Sequence, residues 1–323
     1  MKQTIYLITA MLFLAALMAP LQADAADQDT VNVVCTNTIL ADFATHLLNG
    51  TDSTVDHIMP AGVCPAHFDT RPSDVQRIAG ADIIVALGWE PWLQDLLDAS
   101  GVTPTRINCA GLGEWNLPAG ARTYVTALRE NLTAALPTHQ QLIRDNAVRY
   151  LQQINQTAED AQQMITSKGY TDKKVVCMQW QQAFVSWLGL NVTATYMPPE
   201  RLSTQDMLNV TAAASNSEVS AIIDNLQSGT SFGASVAADA QISHIVLTNF
   251  PGAAPNAGTY LEMLTYNTQQ LVNGISSHQY KQGDINELEG DISALQMQRD
   301  VTLTLTIISA GAAILLFVLY RRK

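Results

Sequence analysis

Between residues 31 and 275, short apolar runs alternate with segments whose apolar residues recur every three or four positions. The first pattern predicts buried strands and the second predicts amphipathic helices. Residues 31–36 (VNVVCT) read as a strand, 39–48 as a helix, and 55–59 as a second strand running into a loop. Pro72-Ser73-Asp74 is a helix-start signal, which Val75, Ile78 and Ala79 continue at helical spacing. The apolar run 81–87, ended by Gly88, predicts a parallel strand covered on both faces, followed by a helix over 89–97. A fourth strand is expected at 104–108, a Gly/Pro-bearing loop at 111–120 and a helix at 122–136.

Pro137-Thr138 breaks the pattern, and 139–167 then reads as one helix with Leu142, Val148, Leu151, Ile154, Ala158, Ala161 and Ile165 on its stripe. About 29 residues at 1.5 Å each span roughly 43 Å, longer than one lobe needs. The segment is expected to be a strut between two lobes. Beyond it the alternation resumes, with strands at 175–178, 191–196, 219–224 and 242–247. Helices are expected at 182–188, 204–215, 231–240 and 258–274. Strands alternating with helices in this way predict parallel sheets.

Two apolar segments flank this body. Lys2, the run 5–19 and Ala23-Asp24-Ala25 predict a cleavable signal peptide over 1–25, an uncleaved anchor being the alternative. Residues 301–320 carry no charge and are followed by Arg321-Arg322-Lys323. Twenty residues match the hydrocarbon thickness, and the basic end points to a cytoplasmic C-terminus with the body outside. Between body and membrane, Ile285, Leu288, Ile292 and Leu295 recur at 3-4-3 spacing, predicting a helical stalk over 276–300. The expected layout is therefore a lobe at 31–136, the strut at 137–168, a second lobe at 174–275, the stalk, the transmembrane helix and a tail at 321–323.

Charge and sequons fit this picture. The chain has 29 acidic against 17 basic residues in 323, which argues against nucleic acid as a partner. Asn49, Asn131, Asn155, Asn191 and Asn209 each begin an Asn-x-Thr sequon, as expected of a glycoprotein. Signal peptide, anchor and sequons together suit an archaeal cell surface.

Candidate chemistry concentrates in residues 59–70, a loop at a strand end that carries Cys64, His67 and Asp69. Open α/β sheets bind ligands at such ends. The sequence here, with Pro60-Ala-Gly62, Pro65, Pro72-Ser-Asp-Val75, Gly80-Ala-Asp-Ile-Ile-Val85, Gly88 and Glu90-Pro-Trp92, resembles the zinc- and manganese-binding solute-binding proteins of metal ABC importers. The resemblance continues to about residue 275. It implies α/β lobes with parallel sheets joined by a long rigid helix, the metal held between them, an ABC permease as partner and no catalytic cofactor. A monomer is expected.

The resemblance also points to ligand positions, most of which hold other residues here. Aligned on Pro72-Ser73-Asp74, the first ligand histidine falls on Ala66, with His67 one place later. Trp115 and Pro118 keep the outline of a His-x-Trp motif, with Gly113 at the histidine position. Gln181 precedes Ala183-Phe184 where a third histidine is implied. The acidic positions fall at Asp224 or Asn225 and near Asn249.

Two readings stay open. In one, Cys35, Cys64 and Cys177 with His67, Met178 and Met197 make a soft site for Cu(I) or zinc, with Gln181 and Asp224 beside them. In the other, Gln181, Asn225, Gln227, Asn249, Trp89, Trp115 and Trp180 hydrogen-bond and stack on a neutral or chelated solute. A Cys35–Cys64 disulfide is a further alternative for the thiols. Trp89 and Trp92 are expected to fill the core. The chain thus reads as a tethered solute receptor for a metal ion or metal-bearing solute, the alternative being a surface adhesin or sensor on the same fold.

A hydrolase comes third, because Gly229-Thr-Ser-Phe-Gly233 fits G-x-S-x-G. A nucleophile elbow needs its serine on the turn directly after a strand, and residues 225–228 intervene here.

Overall fold

The computed structural model describes residues 30–112 and 114–322. The signal-peptide expectation, Gly113 and Lys323 lie outside the described residues.

The first lobe is built from β1 (Asn32–Cys35), α1 (Thr38–Leu48), β2 (Thr54–His57), α2 (Pro72–Ala79), β3 (Ile83–Ala86), α3 (Leu93–Ser100) and β4 (Thr105–Asn108). Its sheet has the order β2-β1-β3-β4, parallel throughout. The central strand β3 is buried along its whole length, as its unbroken apolar run requires. Two helices follow, α4 (Pro118–Ala135) and α5 (Gln140–Ser167).

The second lobe repeats the scheme with β5 (Lys174–Met178), α6 (Gln179–Trp187), β6 (Asn191–Tyr196), α7 (Thr204–Ala214), β7 (Val219–Asn225), α8 (Ser231–Ala240) and β8 (Ser243–Leu247). Its parallel sheet has the order β6-β5-β7-β8. In each lobe the chain lays one strand on one side of the first and then crosses to the other. The switch points therefore lie between β1 and β3 and between β5 and β7.

The helix α5 is the strut that the sequence predicts. Ile143, Ala147, Tyr150 and Ile154 belong to the core of the first lobe, Ala161 and Ile165 to that of the second. The buried stripe is rotated from the expected one: Val148 stands half exposed, and Ile143, Ala147 and Tyr150 take the inner face.

A second helix bridges the lobes as well. The last element, α9 (Tyr260–Arg321), places Tyr260 and Met263 in the first core and Leu264, Leu271, Val272 and Ile275 in the second. Asp42 of α1 ties these pieces together. Its carboxylate accepts from the Tyr150 hydroxyl at 2.7 Å and from the Tyr260 amide at 3.1 Å.

Two boundaries differ from expectation. The helix expected at 89–97 begins only at Leu93, because the Glu90 carboxylate folds back onto the strand end. It accepts from the amides of Leu87, Gly88 and Trp89 and from the Thr36 hydroxyl at 2.5 to 3.1 Å. Gly88 is required in that turn: its φ is +92°, and a Cβ would lie 1.9 Å from Asn108 Oδ1.

The closing helix, stalk and apolar tail are also not separate elements but one helix of 62 residues, about 93 Å at 1.5 Å per residue. Past residue 282 its side chains are exposed. Among the described residues, α9 is the helix long and apolar enough to cross a membrane, by length and composition.

Candidate functional site

The C-terminal ends of both sheets face one another across a cleft of about 420 Å³. The first lobe contributes Cys64, Pro65 and Ala66 from the loop after β2, Trp89 after β3, and Glu114, Trp115 and Asn116 after β4. The second contributes Trp180 at the start of α6, Asn225 and Gln227 at the end of β7, and Asn249 and Phe250 after β8. This is where parallel sheets hold ligands, since the loops at a switch point diverge and leave a crevice.

Four carboxamides build the floor. The fully buried Gln181 donates to Asn249 Oδ1 at 2.8 Å and to Asn225 Oδ1 at 3.4 Å. Asn116 reaches across from the first lobe to Asn249 Oδ1 at 3.4 Å and to the Trp180 carbonyl at 3.2 Å. Asn225 in turn donates to Ser228 Oγ. Gln181 Oε1 is buried and, among the described residues, has no hydrogen-bond partner.

Further bonds close the lobes on each other. Trp115 Nε1 donates to the Asn249 carbonyl at 2.8 Å, and Gln227 Nε2 to the Ala61 carbonyl at 2.8 Å. Gln227 Oε1 also accepts from the Asn249 amide.

The walls are aromatic. Trp89 is 50% exposed and Trp180 40%. Trp115 packs against Phe250 at 5.5 Å between ring centroids. Among the described lining residues Glu114 alone carries a charge, and partial burial raises its carboxyl above the usual range.

The chain matches the family described as "ZnuA: Zinc-uptake complex component A periplasmic" over residues 33–274. It belongs to that family.

Among curated proteins it is similar to the manganese-binding lipoprotein MntA of Halalkalibacterium halodurans. The two are 25% identical over 272 residues, covering 77% of this chain and 90% of the relative. Among solved structures it is similar to a Mn-bound periplasmic metal binding protein from Candidatus Liberibacter asiaticus, with a TM-score of 0.65 and 17% identity. A structure of ZnuA has the same TM-score and 15% identity. Both likenesses cover 76% of this chain and all of the other, and at this identity they concern the fold.

Against that family background the sequence-predicted residues fall into two groups. Cys64, Trp115, Asn225, Gln227 and Asn249 line the cleft, with Gln181 beneath them. His67, Cys177 and Asp224 do not. His67 closes a short 3-10 turn (Pro65–His67) with its side chain exposed. Cys177 is fully buried in the second core, where its Sγ donates to the Met178 carbonyl and burial pushes its thiol far up.

Asp224 lies on the opposite face of β7 from Asn225, as the two-residue period of a strand demands. There Tyr196 Oη donates to it at 2.6 Å and His244 Nε2 stands 2.7 Å away. A soft-metal cluster is not assembled: no three His, Cys, Asp or Glu side chains among the described residues converge on a common point. Cys35, Cys64, Cys109 and Cys177 are free thiols, so the Cys35–Cys64 bridge is not formed either. Met178 is buried and Met197 lines a separate surface cavity beside α7.

Sequence reasoning missed Asn116 and Glu114, whose neighbour Trp115 was the available pointer. Trp89, expected to fill the core, instead stands in the cleft; Trp92 does pack, donating its indole N–H to the Pro65 carbonyl. Ser231 of the G-x-S-x-G segment opens α8 six residues beyond the end of β7, so it is not on a nucleophile elbow.

Proposed function

We propose that this chain is the extracellular, membrane-tethered solute-binding component of an ABC importer, taking its cargo between the lobes and presenting it to a permease in the same membrane. The observation that carries this is the closed interlobe cleft at the strand C-termini of a chain in this family. The tether is α9, which leaves the second lobe at about Ile275 and continues without interruption into the apolar stretch 301–320. Arg321 and Arg322 support a cytoplasmic end for it by the positive-inside rule.

The relatives named above are described as zinc-, manganese- or metal-binding proteins, which supports a metal ion or a metal-bearing solute as the cargo class. The donors present here fit a bare ion poorly. Divalent sites are anchored by carboxylates, imidazoles or thiolates, with amide oxygens serving beside them, whereas the floor of this cleft is four neutral amides.

That same loss of charged donors favours the second reading, a cell-surface adhesin or sensor that keeps the fold without transport. Cross-linking of the full chain in its native membranes separates the two. Capture of an ABC permease supports the importer component; reproducible capture of other surface proteins without a permease supports the adhesin.

The sequons at Asn131 and Asn155 sit on α4 and α5, with Asn155 accepting from Arg122 at 3.0 Å. Mass spectrometry of the membrane-extracted chain tests the glycoprotein assignment.

A further inference from the structure

We propose that the cleft is built for a small organic cation, an N-alkylated ammonium head or a flat cationic nitrogen heterocycle, rather than for a bare metal ion. This rests on the reading of the chain as a solute receptor and names the chemistry of its cargo.

The first argument is the walls. Trp89 and Trp180 line the cleft and are 50% and 40% exposed, and Trp115 lines it as well. Half-exposed indoles facing a concave site are surface that a ligand covers. The indole face is also the strongest aromatic partner for a cation whose charge is spread over alkyl groups or a ring. A bare divalent ion keeps its water and gains little from such a wall.

The second argument is the sign of the polar groups. Among the described lining residues the one charged group, Glu114, is an acid, and a cation placed beside its carboxylate is attracted to it. Gln181 Oε1 is a buried acceptor with no donor among the described residues, beneath Asn225 and Asn249, which line the cleft. The indoles and the Glu114 carboxylate both favour positive charge. The neutral carboxamides around them supply donors and acceptors without the anionic charge that repays dehydration of a divalent ion. Size agrees, because 420 Å³ is far larger than an ion and lies in the range of small organic ligands.

The test uses the full chain in detergent micelles, titrated calorimetrically and by tryptophan emission. Tetramethylammonium and 1-methylnicotinamide represent the two kinds of cation. 3,3-Dimethylbutanol and nicotinamide are uncharged controls, and zinc and manganese chlorides complete the panel. One or both cations should bind one-to-one with a change in emission, at least tenfold tighter than the uncharged controls. The one that binds identifies the head group.

Trp89→Leu and Trp180→Leu keep apolar bulk without the indole quadrupole, and each should weaken the cation by about tenfold. Trp180→Phe should weaken it less, and Glu114→Gln should weaken it as well. All three sites line the cleft and none is buried, so melting temperatures should hold. Equal affinity for charged and uncharged probes, failure of both cations to bind, or tight one-to-one zinc or manganese binding would each overturn the proposal. The transport reading fails separately: cation binding without capture of a permease would remove the importer role and leave the cargo chemistry standing.

Discussion

Tyr196→Phe tests Asp224, one of the two adjacent site candidates of β7, by asking whether it serves stability or binding. Asp224 is fully buried, and its Oδ1 accepts from the Tyr196 hydroxyl at 2.6 Å, while the same hydroxyl also lies 3.1 Å from the Ile223 carbonyl. On its other oxygen His244 Nε2 stands 2.7 Å away. Gly233 closes the remaining side so tightly that a Cβ there would lie 2.1 Å from Asp224 Oδ2. A hydrogen bond to a charged group contributes about 1.5–3 kcal/mol, and the acceptor left behind stays buried, so a loss of about 2 kcal/mol is expected.

For a folded unit of this size each kcal/mol is roughly 2–4 °C, which makes the expected drop in melting temperature about 4–8 °C. The assay is thermal unfolding of the full chain, paired with the rate at which Cys64 reacts with a thiol reagent as a readout of the cleft. Stability should fall while Cys64 labelling stays unchanged, because the cluster and the cleft lie on opposite faces of β7. A change below about 0.5 kcal/mol, or an altered Cys64 rate at full stability, would refute the placement of Asp224 outside the site.

Thiol chemistry gives a second expectation: in the native protein Cys64 alkylates first, while Cys35, Cys109 and Cys177 resist until unfolding. Burial pushes Cys109 to about 12 and the other two above their ordinary value, and peptide mapping after brief iodoacetamide treatment reads the order. Gly120→Ala should destabilise by about 3 kcal/mol or more, since its Cβ would lie 1.7 Å from the Glu114 carbonyl oxygen and must displace the loop that carries Glu114 and Trp115; thermal unfolding measures it. Small-angle scattering with and without a cleft ligand should give nearly the same radius of gyration, because both α5 and α9 contribute to both cores and resist wide hinge opening; a large compaction would contradict that double bridge.

The two parallel α/β lobes were legible because each central strand is an apolar run buried on both faces, whereas the strand orders β2-β1-β3-β4 and β6-β5-β7-β8 come from the structure alone. The run 81–87 and β3, or the run 219–224 and β7, agree within two residues at either end. The continuity of α9 was not legible. Gly274, Gly283 and Gly290 and the polar stretch between them suggest breaks, but helix hydrogen bonds are internal and the helix runs on where no proline stops it. The site was partly legible for a different reason. The resemblance indicated positions such as 181, 225 and 249, and the structure brings those three together. It could not distinguish Asp224 from Asn225, since only the period-two facing of β7 does that. Nor could it reveal Asn116, which matters only because the loop after β4 reaches across to the other lobe.

The separation between scaffold and site explains how family membership and an unusual cleft coexist. The residues that define the fold, from Ile84 and Val85 in β3 to Ile222 and Ile223 in β7, are buried in the lobe cores, and the Glu90 turn braces the end of β3 through backbone amides. The cleft, in contrast, is lined by loop tips after six different strands. The amides among them hold one another through side-chain hydrogen bonds rather than through a metal ion. A charged ligand set has to remain complete to hold an ion, whereas an amide floor under indole walls tolerates piecemeal change. Four converged carboxamides, with Glu114 the one acid among the described lining residues, leave a floor that holds itself together without a bound ion.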